Sequence, residues 1–153
     1  MYDTTLMMGP DGAEVGRWAK VRLFPSEAEY GFIGGERAFH IVETPYGKVG
    51  SGVCYDYHYS DVIRGLVRNG AQIVIMPTDD NFHGTPWFPP FHASDGVFRA
   101  VENRISFASG AVNGKTVVVD PYGRIIAEGD INERGFITGE TFTVEGQTLY
   151  TRF

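Results

Sequence analysis

Gly47-Lys48-Val49-Gly50-Ser51-Gly52-Val53-Cys54, then the helical spacing of Val62, Ile63, Leu66 and Val67, then Ala71-Gln72-Ile73-Val74-Ile75-Met76: this stretch decides the fold. Lys48 to Val53 reads as a strand of small residues. Ser60 is placed to cap a helix from Asp61 to Asn69, with Gly70 just past its end. Ala71 to Met76 is an apolar run but for Gln72, and reads as a strand buried on both faces. Strand, helix and buried strand make a βαβ unit, and ligands bind at the carboxyl edges of strands in open α/β sheets. Cys54, the only cysteine, stands at such an edge.

Working outward, Tyr2 to Met8 and Glu14 to Val21 flank the turn Pro10-Asp11-Gly12 and predict a hairpin. Pro25 to Gly35 reads as a loop long enough to be functional. Phe39 to Thr44 pairs with Lys48 to Val53 around Pro45-Tyr46-Gly47. A proline-rich loop runs from Pro77 to His92, and Ser94 or Asp95 caps a helix with Val97, Phe98 and Val101 on one face. Ile105 to Val112 and Lys115 to Asp120 form a hairpin at Asn113-Gly114. Arg124 to Ala127, Gly135 to Val144 and Thr148 to Phe153 read as further strands. The class is α/β with a mixed sheet. A chain that opens and closes inside strand-like segments is expected to be a piece of a longer protein.

Composition narrows the partners. A net charge of -6 with no cluster of Lys and Arg argues against a nucleic-acid groove or an anionic membrane surface. One cysteine allows no internal disulfide and leaves the redox compartment open. No apolar run approaches the roughly 18 residues that cross a bilayer.

An isolated cysteine is most often a small buried hydrophobe. Lys20, on an alternating strand, reads by itself as a solvated residue. Asp79, Asp80 and His83 are ligand types, but their spacing fits no metal motif, and they read as loop-structuring and pocket-wall residues. Glu102 and Arg104 read as an ion pair or helix cap, and His40 and His58 as packing or solvated residues.

Taken together, four stretches resemble the nitrilase, or carbon-nitrogen hydrolase, superfamily. They are Asp11-Gly12 through Trp18-Ala19-Lys20 to Leu23-Phe24-Pro25; Gly47-Lys48-Val49-Gly50 into Val53-Cys54-Tyr55-Asp56; Asn69-Gly70-Ala71 through Pro77; and Arg99-Ala100-Val101-Glu102-Asn103-Arg104 with Asp120-Pro121-Tyr122-Gly123-Arg124. Thr78 to Gly84 and Gly146 to Phe153 are similar to the apolipoprotein N-acyltransferase branch, whereas Asp56 is the aspartate common in soluble amidases. The resemblance implies part of an α-β-β-α sandwich with mixed sheets, incomplete at its N-terminus, with residues 1–153 as a single partial domain.

The family's Glu-Lys-Cys triad maps here onto Cys54 as nucleophile and Lys20 as the lysine, with Glu27 similar to a second glutamate near the site. The general-base glutamate is expected in an N-terminal segment outside this chain. Thiol chemistry on an amide needs the thiolate and donors for the oxyanion, and the resemblance implies the Lys20 ammonium and the backbone N–H of Tyr55 as those donors. Asp80 and His83 are expected to line the pocket. The implied function is acyl transfer through a Cys54 thioester to an amine. The alternatives are a soluble amidase or carbamoyl-amide hydrolase, and a catalytically inactive fragment that acts in assembly. The implied substrate is a small-molecule amide or acyl donor, with no metal or cofactor and no nucleic acid. Membrane contact would come only through absent segments, and either a homo-oligomer or a missing N-terminal half would complete the protein.

Overall fold

A computed structural model describes residues 1–81 and 85–153. Strands β1 (Thr4–Met8) and β2 (Glu14–Ala19) pair antiparallel as a separate two-stranded sheet. A six-stranded sheet comes next, its strands in sequence order: β3 (Val42–Thr44), β4 (Gly47–Ser51), β5 (Ile73–Asp79), β6 (Ser106–Val112), β7 (Val117–Val119) and β8 (Ile125–Glu128). β4, β5 and β6 run parallel, and the flanking pairs are antiparallel, so the sheet is mixed as expected.

Between these strands, helix α1 (Pro25–Glu29) lies after β2, α2 (Ser60–Arg68) makes the β4 to β5 crossover and α3 (Phe88–Asn103) the β5 to β6 crossover. From the buried stripe of α2, Ile63, Leu66 and Val67 share one core with Val74 and Met76 of β5, and Ala93 and Ala100 of α3 join it with Phe107, Val117 and Val119. Full burial of such a large aliphatic side chain contributes about 2 kcal/mol.

Several segments differ from the expectations. The span 25–35 is not all loop: α1 forms because Pro25 suits a first helical position and Glu27 reaches back to accept from the Phe24 N–H at 2.7 Å. Tyr59, not Ser60, caps α2, and it does so without a side-chain bond. β5 is not buried on both faces: Val74, Met76 and Thr78 point into the helical layer while Ile75 is 44% exposed. α3 begins at Phe88, well before Ser94, since Pro89 and Pro90 lie in its first turn, where no intrahelical N–H is needed. Its buried face is His92, Ala93, Gly96, Arg99 and Ala100, and Phe98 and Val101 face outward.

Residues 135–144 form no strand. Gly139 lies over Val118, Ile126 and Ala127, so this segment crosses the sheet face at β7 and β8. The end of the chain is helix α4 (Leu149–Arg152), not a strand, because Thr148 Oγ1 accepts the Thr151 N–H at 3.0 Å as its cap. α4 is tied down by Arg68, which donates to the carbonyls of Thr151 and Arg152, and by Thr148, which donates to the Glu102 carbonyl.

Candidate active site

Cys54 lies just beyond the end of β4 and opens a 3-10 turn, Cys54–His58. Its φ of 48° is in the left-handed region, which costs a non-glycine residue about 1–3 kcal/mol unless its surroundings hold it. Asp56 does the holding. Its carboxylate, fully buried, accepts the N–H of Val53 at 3.0 Å from its own turn, and those of Val21 at 3.0 Å and Arg22 at 2.7 Å from the chain leaving β2. One side chain thus fastens the segment after Lys20 to the turn that carries Cys54. Burial pushes the Asp56 carboxyl above its ordinary value, against the pull of these N–H groups and of Lys20.

Lys20 is 1% exposed, so the structure overturns its reading as a solvated strand residue. Its ammonium lies 2.5 Å from Glu27 Oε1 and 3.7 Å from Asp3 Oδ2. Glu27 divides its carboxylate between that ammonium and the Phe24 N–H, which places α1 as the clamp on the lysine. A buried ammonium is tolerated only when paired in this way.

Cys54, Lys20, Glu27, Asp3, Thr78 and Asp79 face one open cleft of about 680 Å³ at the carboxyl edges of β4 and β5. The sulfur's polar contact is a long one, to the Asp79 carbonyl at 3.8 Å. Burial pushes the Cys54 thiol above its ordinary value; the Lys20 charge draws it down and the Asp80 charge adds to the rise.

Tyr55 packs its ring on Phe24, His58 and Tyr59 beside the cleft. Asp80 does not line the cleft: its side chain is fully buried and bonded to Thr78 and His92. His83 lies outside the described residues. His58 is not an unpartnered packing residue, because its Nδ1 is 2.7 Å from Asp95 Oδ2. Glu102 pairs with Arg99 at 3.2 Å, and Arg104 ends α3 in the left-handed conformation with its guanidinium over Tyr122. Among the described residues no group of acidic, His and Cys side chains is arranged to hold a metal.

The sequence conceals one residue near the site and misplaces another. Asp3 carries no motif, and only the register of Thr4 opposite Ala19 brings it to Lys20. His92 belongs with the acyltransferase-like stretch and reads as lying just before the helix, whereas it is a fully buried residue inside α3.

A buried lysine, a paired glutamate and a cysteine on a left-handed turn thus share one cleft at a strand's carboxyl edge. The carbon-nitrogen hydrolase profile matches residues 1–144, and the chain belongs to that family. It is 34% identical over 109 residues to the apolipoprotein N-acyltransferase of Gloeobacter violaceus, covering 71% of this chain and 21% of that protein. It is 29% identical over 147 residues to the omega-amidase NIT2 of Xenopus tropicalis, covering 87% of this chain and 53% of that one. Among solved structures it is similar to an amidase of Nesterenkonia, with a TM-score of 0.74 and 25% identity over 84% of this chain and 51% of that one. Nit3 of Saccharomyces cerevisiae matches with a TM-score of 0.73 and 29% identity over 87% of this chain and 51% of that one. One structure of the Nesterenkonia amidase shows Michael addition of acrylamide at its active site cysteine. The chain therefore spans about half the length of the amidases it matches and about a fifth of the N-acyltransferases.

Proposed function

We propose that Cys54 is the nucleophile of a thiol-dependent acyl transfer in which an acyl group is held as a thioester and passed to an amine. The observation that carries this is Lys20, an ammonium removed from water yet opening on the same cleft as the sulfur. Its charge favours the thiolate, and a fixed cation beside the attacked carbonyl stabilises the oxyanion. The thiolate attacks the carbonyl carbon, the C–S bond forms, and the carbonyl π electrons move to oxygen. Lys20 and the backbone N–H of Tyr55 take up that charge. The oxyanion collapses to the carbonyl and expels the leaving group, which carries off the proton that the thiol gave up; an incoming amine then attacks the thioester, and its proton goes to the departing sulfur. Glu27 and Asp3 are the carboxylates of the cleft paired with the lysine, and they hold its orientation.

The amine as acceptor is supported by the similarity to N-acyltransferases, with which identity reaches 34%. Water as acceptor, giving an amidase, is the second reading, supported by the amidase structures that match across 84% of the chain. The complete protein, with any chain beyond these residues, separates the two. Incubated with a phospholipid donor and with small amides in turn, it should carry the acyl mass on the Cys54 peptide from the donor it uses, and a peptide bearing amine or water should then discharge it. Lys20→Ala should reduce turnover by roughly a hundredfold to a thousandfold, the usual effect of losing one oxyanion donor. Full turnover in Cys54→Ser would remove the assignment.

A further inference from the structure

A second set of polar groups adjoins Cys54, and of its members only Thr78 also lines the cleft. His92 Nδ1 stands 2.8 Å from Asp80 Oδ1, and both side chains are completely buried. The Thr78 hydroxyl donates to the same Asp80 oxygen at 2.9 Å, and Thr78 lines the cleft together with Cys54. The Tyr57 ring, from the turn that opens at Cys54, lies flat on the imidazole at 3.9 Å with planes 7° apart. The β6–β7 hairpin closes over the carboxylate so tightly that a Cβ on Gly114 would come within 2.3 Å of Asp80 Oδ2.

This arrangement is costly as a piece of core. Among the described residues Asp80 Oδ2, His92 Nε2 and the Tyr57 hydroxyl are buried without a hydrogen-bond partner. A core selected for stability alone pairs such atoms or replaces them with apolar ones. Two of the groups that carry them bear on Cys54: Tyr57 lies in its turn, and the Asp80 charge reaches its sulfur.

We infer that Asp80 and His92 are positioning residues for Cys54: the imidazole braces Tyr57 and with it the left-handed turn of the nucleophile, while the carboxylate fixes Thr78 and sets the charge behind the sulfur. This rests on Cys54 as the reacting thiol. The charged and titratable groups packed around it are Lys20 from the end of β2, clamped by Glu27 of α1; Asp56 and Tyr57 of its own turn; Asp80 from the end of β5; and His92 with Asp95 from α3. Lys20 and Asp80 pull the thiol in opposite directions. Burial, first, and the Asp80 charge hold Tyr57 well above the usual phenol range, so it stays neutral and acts by contact.

The test is the pH profile of Cys54 alkylation by iodoacetamide in the 153-residue chain, read by mass, with thermal unfolding recorded beside it. Asp80→Asn keeps an acceptor oxygen for Thr78 and His92 and removes the charge, so the midpoint should fall by about half a pH unit or more. His92→Phe keeps a ring against Tyr57 and removes the partner of the carboxylate; a completely buried carboxylate left without its partner takes up a proton rather than stay charged, so the midpoint should fall here too. His92→Asn, smaller but able to donate an N–H to Asp80, should keep the parental midpoint, an order that loss of packing alone does not give. A midpoint that stays in place in Asp80→Asn or His92→Phe, or falls as far in His92→Asn, overturns the inference; if one variant does not fold, the others decide. The readout needs no turnover, so it stands apart from the nucleophile assignment, which Cys54→Ser in the complete protein tests separately.

Discussion

At the scale of single residues, the site combines groups that announce themselves with groups that do not. Cys54 draws notice as the only cysteine, at a strand's carboxyl edge, whereas Lys20 by itself reads as a solvated residue and enters only through its fit to a family pattern. Asp56 is visible in that pattern, but its structural role is not. Its acceptors are spent on backbone N–H groups of Val21, Arg22 and Val53, and no spacing rule links residues so far apart in the chain. Asp56→Asn probes that role. The amide has one acceptor oxygen where the carboxylate has two, so at least one buried N–H is left facing a donor. An unsatisfied buried group costs about 1–3 kcal/mol, and the urea midpoint should fall accordingly. Alkylation of Cys54 should also become heterogeneous as the turn loosens. An unchanged midpoint would show that water or a neighbour replaces the lost acceptor.

At the scale of elements, the parallel β4-α2-β5-α3-β6 core was legible because hydrophobic period and length both separate its strands from its helices. The end of the chain was not. Thr148-Leu149-Tyr150-Thr151 has strand-favouring composition, yet a threonine bonded to the N–H three residues on starts a helix against the propensity of the residues after it. The turn from β7 to β8 was legible and yields a pH prediction. Asp120 accepts from the N–H groups of Tyr122 at 2.8 Å and Arg124 at 3.0 Å, and from the Arg124 guanidinium at 2.7 Å. Burial raises its carboxyl, but the bonds from Arg124 and Tyr122 outweigh that and hold it below its ordinary value. A folded value below the unfolded one means that the proton binds the unfolded chain more tightly. The stabilisation is therefore complete above about pH 4, the ordinary Asp value, and lost as pH falls through the folded value. Asp120→Asn should flatten the acid limb of a plot of urea midpoint against pH. A limb as steep as that of the parent would assign the loss to other carboxylates, such as Asp61 on Arg22 and Arg37, which is lowered as well.

At the scale of the whole molecule, the family fold is present but one sheet face is partly bare. The apolar run of Ile73 to Met76 calls for cover on both sides, and the helices α2 and α3 cover only the face of Val74 and Met76, leaving Ile75 exposed. Val112, Ile125 and Ile126 at the ends and edge of the same sheet, with Phe136 at 90% exposure, add to the apolar surface. Exposed apolar area of this kind is buried by a partner or drives association. The solved proteins of similar fold match this chain over only about half of their own length, and their additional chain is one source of cover; a second copy of this chain is another. The 153-residue chain by itself should therefore elute in gel filtration ahead of a monomer, bind an apolar dye, and show no measurable amide hydrolysis or acyl transfer. Its thiol, raised by burial, should react with iodoacetamide no faster than an ordinary cysteine at neutral pH. A monodisperse monomer that turns over amides would contradict each part of this, and would show that Glu27 or Asp3, already within reach of Lys20, supplies the base without any further chain.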